Sequence, residues 1–413
     1  MIFIYRFLIN LVFLLSPIIF IYRFIKKKED KTRFIEKFSI NTKKRVEGDL
    51  IWFHGASVGE LQSITPIIEA ISKSKNIKQI LLTSNTLSSA KIVNKLKIKK
   101  IVHQYFPLDC NFIDKKFLNY WKPSKAIFID SEIWPNMINN LHRKNIKIIL
   151  VNARITKKSF SRWFYFPSFA KNIFRKIDLC LSSDKESYYY LKKLGAKNVK
   201  FYGNLKFAQS EKNNLYLGSK LNNFFKKKKI WCAASTHHGE EKFCALVHKE
   251  LKKKYKNLVT IIVPRHIERT NHIFNELIKF NFKVHIHNPS KKIIPLTDIY
   301  LVNTYGESKK FYNVSDIVFL GGSLVNHGGQ NPLEAVRLGC NIIYGPNVNN
   351  FREVYHFLTS KSVATKIYNT KDTIKKIEKL FSENRNINSL KKNIKKMGSK
   401  ILNNYLREIS QII

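Results

Sequence analysis

The stretch Asp316-Ile-Val-Phe-Leu-Gly-Gly-Ser-Leu-Val-Asn-His-Gly-Gly-Gln-Asn-Pro-Leu-Glu334-Ala-Val-Arg-Leu-Gly is the part of the chain from which the fold is read. Ile317–Leu320 is an unbroken apolar run, the pattern of a parallel strand buried on both faces. Gly321, Gly322 and Ser323, then Gly328 and Gly329, strip bulk from the loop at its carboxyl end. Asn331-Pro332 reads as a helix start, Asn as cap and Pro at the first helical position, and Leu333, Val336 and Leu338 continue a partly apolar helix. A glycine-rich turn of this kind presents backbone N–H groups and a positive dipole end, which attract phosphate. Glu334, in the first helical turn, is placed to accept two vicinal hydroxyls such as those of a ribose. The competing reading is a packing turn followed by a capped helix.

Working outward, the same strand-then-helix unit repeats from residue 50. The apolar runs are Ile51–Phe53, Ile80–Leu82, Ile101–Phe106, Ala126–Ile129, Ile148–Val151, Leu179–Leu181 and Val199–Tyr202 in one half. In the other they are Ile230–Ala234, Val259–Val263, Val284–Ile286, Ile299–Val302, Ile317–Leu320 and Asn341–Tyr344. This rhythm predicts an α/β protein of two doubly wound parallel sheets. The expected domains are 26–208 and 230–385, joined by a polar linker over 209–229, with a helix over 386–413 free to pack back on the first. Two such domains facing one another leave a cleft at the carboxyl ends of both sheets, where ligands of open α/β sheets bind.

The 413 residues carry 74 Lys+Arg against 29 Asp+Glu, a formal charge of +45, which favours nucleic acid, acidic headgroups or phosphorylated substrates. Lysine, isoleucine and asparagine are abundant throughout, so coding bias is a second source of that charge. Phe7–Tyr22 is apolar apart from Asn10, Ser16 and Pro17, and Arg23, Lys26, Lys27, Lys28, Lys31 and Arg33 follow. Residues 1–25 are therefore expected to form an N-terminal membrane-anchor helix, spanning or lying in one leaflet, with the basic flank keeping the rest cytoplasmic. A cleaved signal peptide is disfavoured because no small-residue cleavage site follows. Cys110, Cys180, Cys232, Cys244 and Cys340 include no C-x-x-C pair and read as buried thiols in a reducing compartment.

Polar residues at strand ends mark the expected rim. His54-Gly55-Ala-Ser57-Val-Gly59-Glu60 follows the first strand, and Glu60 suits either a general base or a carboxylate that complements a helix dipole. Asp130 and Glu132, one residue apart after Ala126–Ile129, face the same way in an extended chain. A single Asp-x-Glu is a poor metal site, which favours an electrostatic or structural role. Gly203-Asn-Leu-Lys206, Ser235-Thr236-His237-His238-Gly239-Glu240-Glu241, Pro264-Arg265-His266 and Asn303-Thr304-Tyr305-Gly306-Glu307 end further strands. Arg265 offers a fork for phosphate, while the adjacent histidines point apart and do not make a zinc site.

Taken together, Gly55–Glu60, Ser131-Glu132-Ile-Trp-Pro-Asn136, Gly203–Lys206, Ser235–His237, Pro264–His266, Gly321–Ser323 and Asn331–Glu334 resemble the signatures of one family. It is the 3-deoxy-D-manno-octulosonic acid (Kdo) transferases of lipid A assembly, glycosyltransferases of family 30 with the GT-B architecture. The resemblance implies two Rossmann-like domains facing across a cleft and an N-terminal anchor on the cytoplasmic face of the inner membrane. It also implies inverting, metal-independent transfer of Kdo from CMP-Kdo to lipid IVA, the lipid A precursor, in lipopolysaccharide biosynthesis. No cofactor is implied, CMP-Kdo being a substrate. Carried over by motif, Glu60 is the base, and Asp130 or Glu132 with Lys206 stabilises the transition state. Arg265, His266, Thr304, Tyr305, Gly306, Gly321, Gly322, Ser323, Asn331, Pro332, Leu333 and Glu334 are placed at CMP. His54, Gly55, Ser57, Gly59, Ser235, Thr236 and His237 are placed on the cleft. Asp130 departs from a Glu expected there, which leaves open which carboxylate matters more.

Two rival classes make different demands on these residues. Another GT-B enzyme with a different nucleotide-sugar keeps the fold and the role of Glu334, but has no need of Gly55–Glu60 and Ser131–Asn136 together. A nucleic-acid binder explains the charge, yet no RNA or DNA module is present and the basic residues are dispersed.

Overall fold

The computed structural model describes residues 1–412 apart from 97, 209–214, 227 and 384–386. The chain forms two compact units, one of Met1–Ser210 with Met397–Ile413, the other of Glu211–Lys396.

The first unit holds β1 (Asp49–His54), β2 (Ile77–Ser84), β3 (Ile101–Tyr105), β4 (Lys125–Ile129), β5 (Lys147–Ala153), β6 (Leu179–Ser182) and β7 (Val199–Phe201). They form one parallel sheet in the order β3-β2-β1-β4-β5-β6-β7. The second unit holds β8 (Lys229–Thr236), β9 (Leu258–Pro264), β10 (Val284–Ile286), β11 (Ile299–Leu301), β12 (Ile317–Leu320), β13 (Asn341–Tyr344) and β14 (Ala364–Lys366). These too are all parallel, in the order β10-β11-β9-β8-β12-β13-β14.

The strands read as unbroken apolar runs because helices cover both faces of each sheet. Leu50–Phe53 and Ile317–Leu320 are buried throughout. Trp52, Phe117, Trp121 and Phe128 fill one core, Trp231, Ile262 and Phe319 the other. Strand order reverses between β1 and β4 and between β8 and β12, so each sheet has a switch point where the loops diverge and a ligand can enter. The motif residues after β1, β4, β8 and β12 flank these two points.

Three expectations need correction. The segment 1–25 is not one helix but two, α1 (Ile2–Leu14) and α2 (Ser16–Ile25), bent by 50°. Pro17 lacks the N–H that would continue the ladder to Phe13. Among the described residues no single helix is long and apolar enough to cross a membrane, although this bent pair together is, by length and composition. Within the expected linker, 209–214 lie outside the described residues, while Ser219–Lys226 is a helix that buries Leu221 and Phe225. Finally, β14 was not expected.

The last helix, Ile387–Ser410, joins the first unit from Met397 onward. The Tyr405 hydroxyl donates to the Gly203 carbonyl at 3.1 Å, and Tyr202 donates to Glu408 at 2.5 Å. A Cβ at Gly398 would lie 2.3 Å from the Phe207 carbonyl oxygen, so only glycine allows this approach.

Candidate active site

In the first unit, the turn after β1 runs through Gly55 into α3 (Val58–Ile71). Ser57 caps this helix, its Oγ accepting from the Glu60 N–H at 3.3 Å. The Glu60 carboxylate reaches back to accept from the Ala56 N–H at 2.7 Å and the Ser57 hydroxyl at 2.7 Å. This is a capping box, so Glu60 does complement the helix start. Its environment goes further than capping requires. Burial pushes its pKa up to about 7, the charges of Asp130 and Glu132 add to the rise, and the Ser57 and Ala56 hydrogen bonds oppose it. An ordinary capping carboxylate stays ionised well below neutrality. Gly59, one residue earlier, is exposed, with no atom within 4 Å of where a Cβ would stand.

His54 was expected on the rim and is instead fully buried, stacked on Phe106 with ring centroids 3.7 Å apart. Its Nε2 lies 2.9 Å from Glu132 Oε2 and its Nδ1 3.0 Å from the Thr83 hydroxyl. Trp52 donates to that hydroxyl at 2.9 Å and the hydroxyl has the Phe53 carbonyl at 3.3 Å to donate to, while the Glu132 carboxylate, which only accepts, calls for a proton on His54 Nε2. Trp134 also donates to Glu132 Oε2, at 2.9 Å. Burial alone would raise the Glu132 pKa, but the His54 and Trp134 bonds prevail and hold it below the usual value.

Asp130 and Glu132 do not share one face as an extended chain predicts. β4 ends at Ile129, and Asp130 adopts φ +55, in the left-handed region that Asp tolerates better than most residues. Its carboxyl accepts from Asn152 Nδ2. Burial raises its pKa, while Lys206, Asn152 and Arg154 pull the other way. Asn152 also accepts from the Leu205 N–H at 2.9 Å, fixing the turn that carries Lys206 beside Asp130. Asn152 and Arg154 were not singled out from the sequence. Their signal is position, since Asn152 lies near the carboxyl end of β5 as Asp130 follows β4.

In the second unit, β8 leads through Ser235, with φ +55, to His237 and the helix Glu240–Lys254. Glu240, part of the candidate stretch after β8 but given no role from the sequence, organises the loop. It accepts from the N–H groups of His237 at 2.9 Å, Gly322 at 2.8 Å and Leu324 at 3.1 Å. A Cβ at Gly321 would stand 2.4 Å from the Ser235 carbonyl oxygen and 2.7 Å from Glu240 Oε2, so glycine is obligatory there. Thr236 is buried, its hydroxyl donating to Glu241, and Arg269 grips Glu241 with two bonds of 3.0 and 3.1 Å. Ser323 is buried as well, donating to the Leu320 carbonyl and accepting from Gly345 N–H at 2.9 Å. Thr236 and Ser323 thus shape the loops instead of facing a ligand.

His237 is half-buried, its ring stacked on His327 at 4.2 Å and 6.0 Å from His266. Burial first, then His327, His266, Arg265 and Arg269, bring its pKa down to about 4. Arg265 and His266 are exposed beside it. Such a cluster next to a glycine loop can receive an anionic group such as a phosphate. Thr304 donates to Glu307, Tyr305 is exposed, and Gly306 has φ +81. The helix near Asn331 starts later than expected, at Leu333, and runs only to Arg337. Asn331 Oδ1 still accepts from the Leu333 N–H at 3.1 Å, while Pro332 and Leu333 are buried and serve packing. Glu334 stands 3.4 Å from Lys309 Nζ.

Comparison with known proteins converges on one family. Residues 30–209 match the model described as 3-deoxy-D-manno-octulosonic-acid transferase (kdotransferase). The chain is 33% identical over 408 residues to the 3-deoxy-D-manno-octulosonic acid transferase of Rickettsia bellii, covering 97% of each chain. It is 31% identical over 330 residues to that of Haemophilus influenzae, covering 79% of this chain and 77% of the relative. Among solved structures it is similar to the UDP-GlcNAc 2-epimerase of Neisseria meningitidis, with TM-score 0.58, 14% identity, and 88% of this chain and 98% of that one covered. A glycosyltransferase of Rickettsia africae matches with TM-score 0.54 and 13% identity over 89% of this chain and 98% of that one. Those two likenesses concern the fold alone, which is GT-B-like in having two parallel α/β sheets. By its identity to named relatives over nearly its whole length, the chain belongs to the 3-deoxy-D-manno-octulosonic acid transferases, a family of glycosyltransferases.

Proposed function

We propose that this protein transfers Kdo from CMP-Kdo to the lipid A precursor lipid IVA, by single inverting displacement without a metal, at the cytoplasmic face of the inner membrane. The observation that carries the mechanism is Glu60, a carboxyl with pKa about 7 beside two further carboxylates at a sheet switch point. A base that titrates near the working pH is both available and strong enough to take a hydroxyl proton. Glu60 accepts the acceptor hydroxyl's proton as that oxygen bonds the anomeric carbon of Kdo. The bond from that carbon to phosphate breaks, and its electron pair leaves with CMP.

The other groups support charge. The sugar in flight is oxocarbenium-like, and Asp130 with Glu132 favours that positive charge. Arg265, His266 and His237 receive the phosphate and sugar carboxylate of the donor, and Glu334 the ribose, while the N–H groups of Gly321 and Gly322 are already taken by the Ala234 carbonyl and Glu240. Glu132 is already engaged by His54 and Trp134 and Asp130 by Asn152, which argues for electrostatic work over metal ligation. The acceptor is held in a leaflet, so a basic, membrane-seated enzyme meets it in two dimensions, each basic residue near the surface contributing about 1 kcal/mol. The test is turnover with CMP-Kdo and tetra-acylated lipid A precursor in EDTA. CMP release with a heavier lipid is expected; an absolute need for added divalent ion would remove the metal-free step.

A further inference from the structure

Among the described residues of the first unit, exposed apolar side chains gather in two places, with others such as Val46 and Tyr189 standing apart. Phe3, Phe7, Leu14, Ile18 and Ile25 line the outside of α1 and α2, each at least half exposed. Phe164, Tyr165 and Phe166 are the other place, three consecutive exposed aromatics at the tip between the helices Lys157–Phe164 and Pro167–Phe174, with Tyr165 at 79%. The two places are neighbours. The Tyr5 ring lies 6.0 Å from Phe169, which lies 6.0 Å from Trp163, adjacent to the tip.

Polar bonds tie α1 along the unit. The Tyr5 hydroxyl donates to Asp109 at 2.6 Å, and Arg6 donates to Asn136 and Asn111, both at 3.0 Å. A helix crossing a bilayer away from the unit would have to break all three. Charge identifies what covers the tip. Residues 155–177 contain Lys157, Lys158, Arg162, Lys171, Arg175 and Lys176 and no Asp or Glu. Aromatic side chains at a bilayer interface, with cations reaching anionic headgroups around them, fit this composition.

We propose that α1–α2 and the tip Phe164–Phe166 enter the same leaflet of an anionic membrane together, a two-point in-plane seat; this rests on the membrane reading above. The test uses the full chain with Tyr165→Cys carrying an environment-sensitive dye. All five native cysteines are buried, so the label goes to position 165. With vesicles of phosphatidylethanolamine containing about three-tenths phosphatidylglycerol, the anionic lipid that attracts basic segments, a blue shift is expected. Phe164→Ser with Phe166→Ser should partition at least tenfold more weakly, with unchanged thermal melting and unchanged turnover on detergent-dispersed acceptor. No vesicle binding by the unaltered chain would overturn the membrane reading itself. Binding without a dye shift, and with the double variant unaffected, would overturn only the tip and leave α1–α2 as the contact. An equal shift on neutral vesicles would overturn the assignment to anionic lipid. A shift that follows protein concentration without vesicles would assign the tip to a second copy.

Discussion

If Glu60 is the base, its ionisation sets the acid limb of kcat/KM, and the structure says which way neighbouring substitutions move that limb. With a pKa of about 7, roughly a tenth of the carboxyl is ionised at pH 6 and roughly nine-tenths at pH 8, so the rate should rise about tenfold between them. Phosphate monoesters on the acceptor titrate in the same range, so displacement of the limb is more telling than its position. The Ser57 hydroxyl stabilises the ionised form, and Ser57→Ala should move the limb to higher pH, at a capping cost of about 1 kcal/mol. Glu132 opposes ionisation by its charge, so Glu132→Gln should move the limb to lower pH even as it slows the plateau. The assay is CMP release across pH 5 to 9 (a range of roughly two units either side of the expected pKa) for the three proteins. A limb that stays put in both variants, or moves both in one direction, would refute the assignment.

Three further outcomes are expected. Gly59→Ala should keep or raise the melting temperature, since Ala gains up to about 1 kcal/mol over Gly in a helix and meets no protein atom, yet lower turnover if substrate approaches that backbone; unchanged turnover would place the substrate elsewhere. Glu240→Gln turns an amide N–H toward a backbone N–H, a mismatch of about 1–3 kcal/mol. It should raise KM for CMP-Kdo roughly tenfold while kcat at saturation stays close to the parent, as checked by steady-state kinetics. Tyr405→Phe removes the hydroxyl that ties the last helix to Gly203 and should cost about 1 kcal/mol in denaturant melts.

Much of the fold is legible in the sequence because parallel strands covered on both faces are written as apolar runs, such as Leu50–Phe53 and Ile317–Leu320. β14 escapes because Ala364–Lys366 is a short edge strand with one apolar side chain. The site is less legible because a motif shows which residues cluster but not which way they turn. His54, Thr236 and Ser323 lie within recognisable motifs yet point inward, while Glu240 and Arg269 do positioning work that depends on loops distant in sequence. A single left-handed residue, Asp130, undoes the alternation that an extended chain would have given the pair with Glu132.

The most direct measurement is turnover and CMP affinity of Glu60→Gln in one preparation. Loss of turnover by about 10²–10⁴-fold with CMP binding retained is expected of a missing base. Normal turnover at saturation with weakened CMP binding would make position 60 a donor contact and contradict the mechanism.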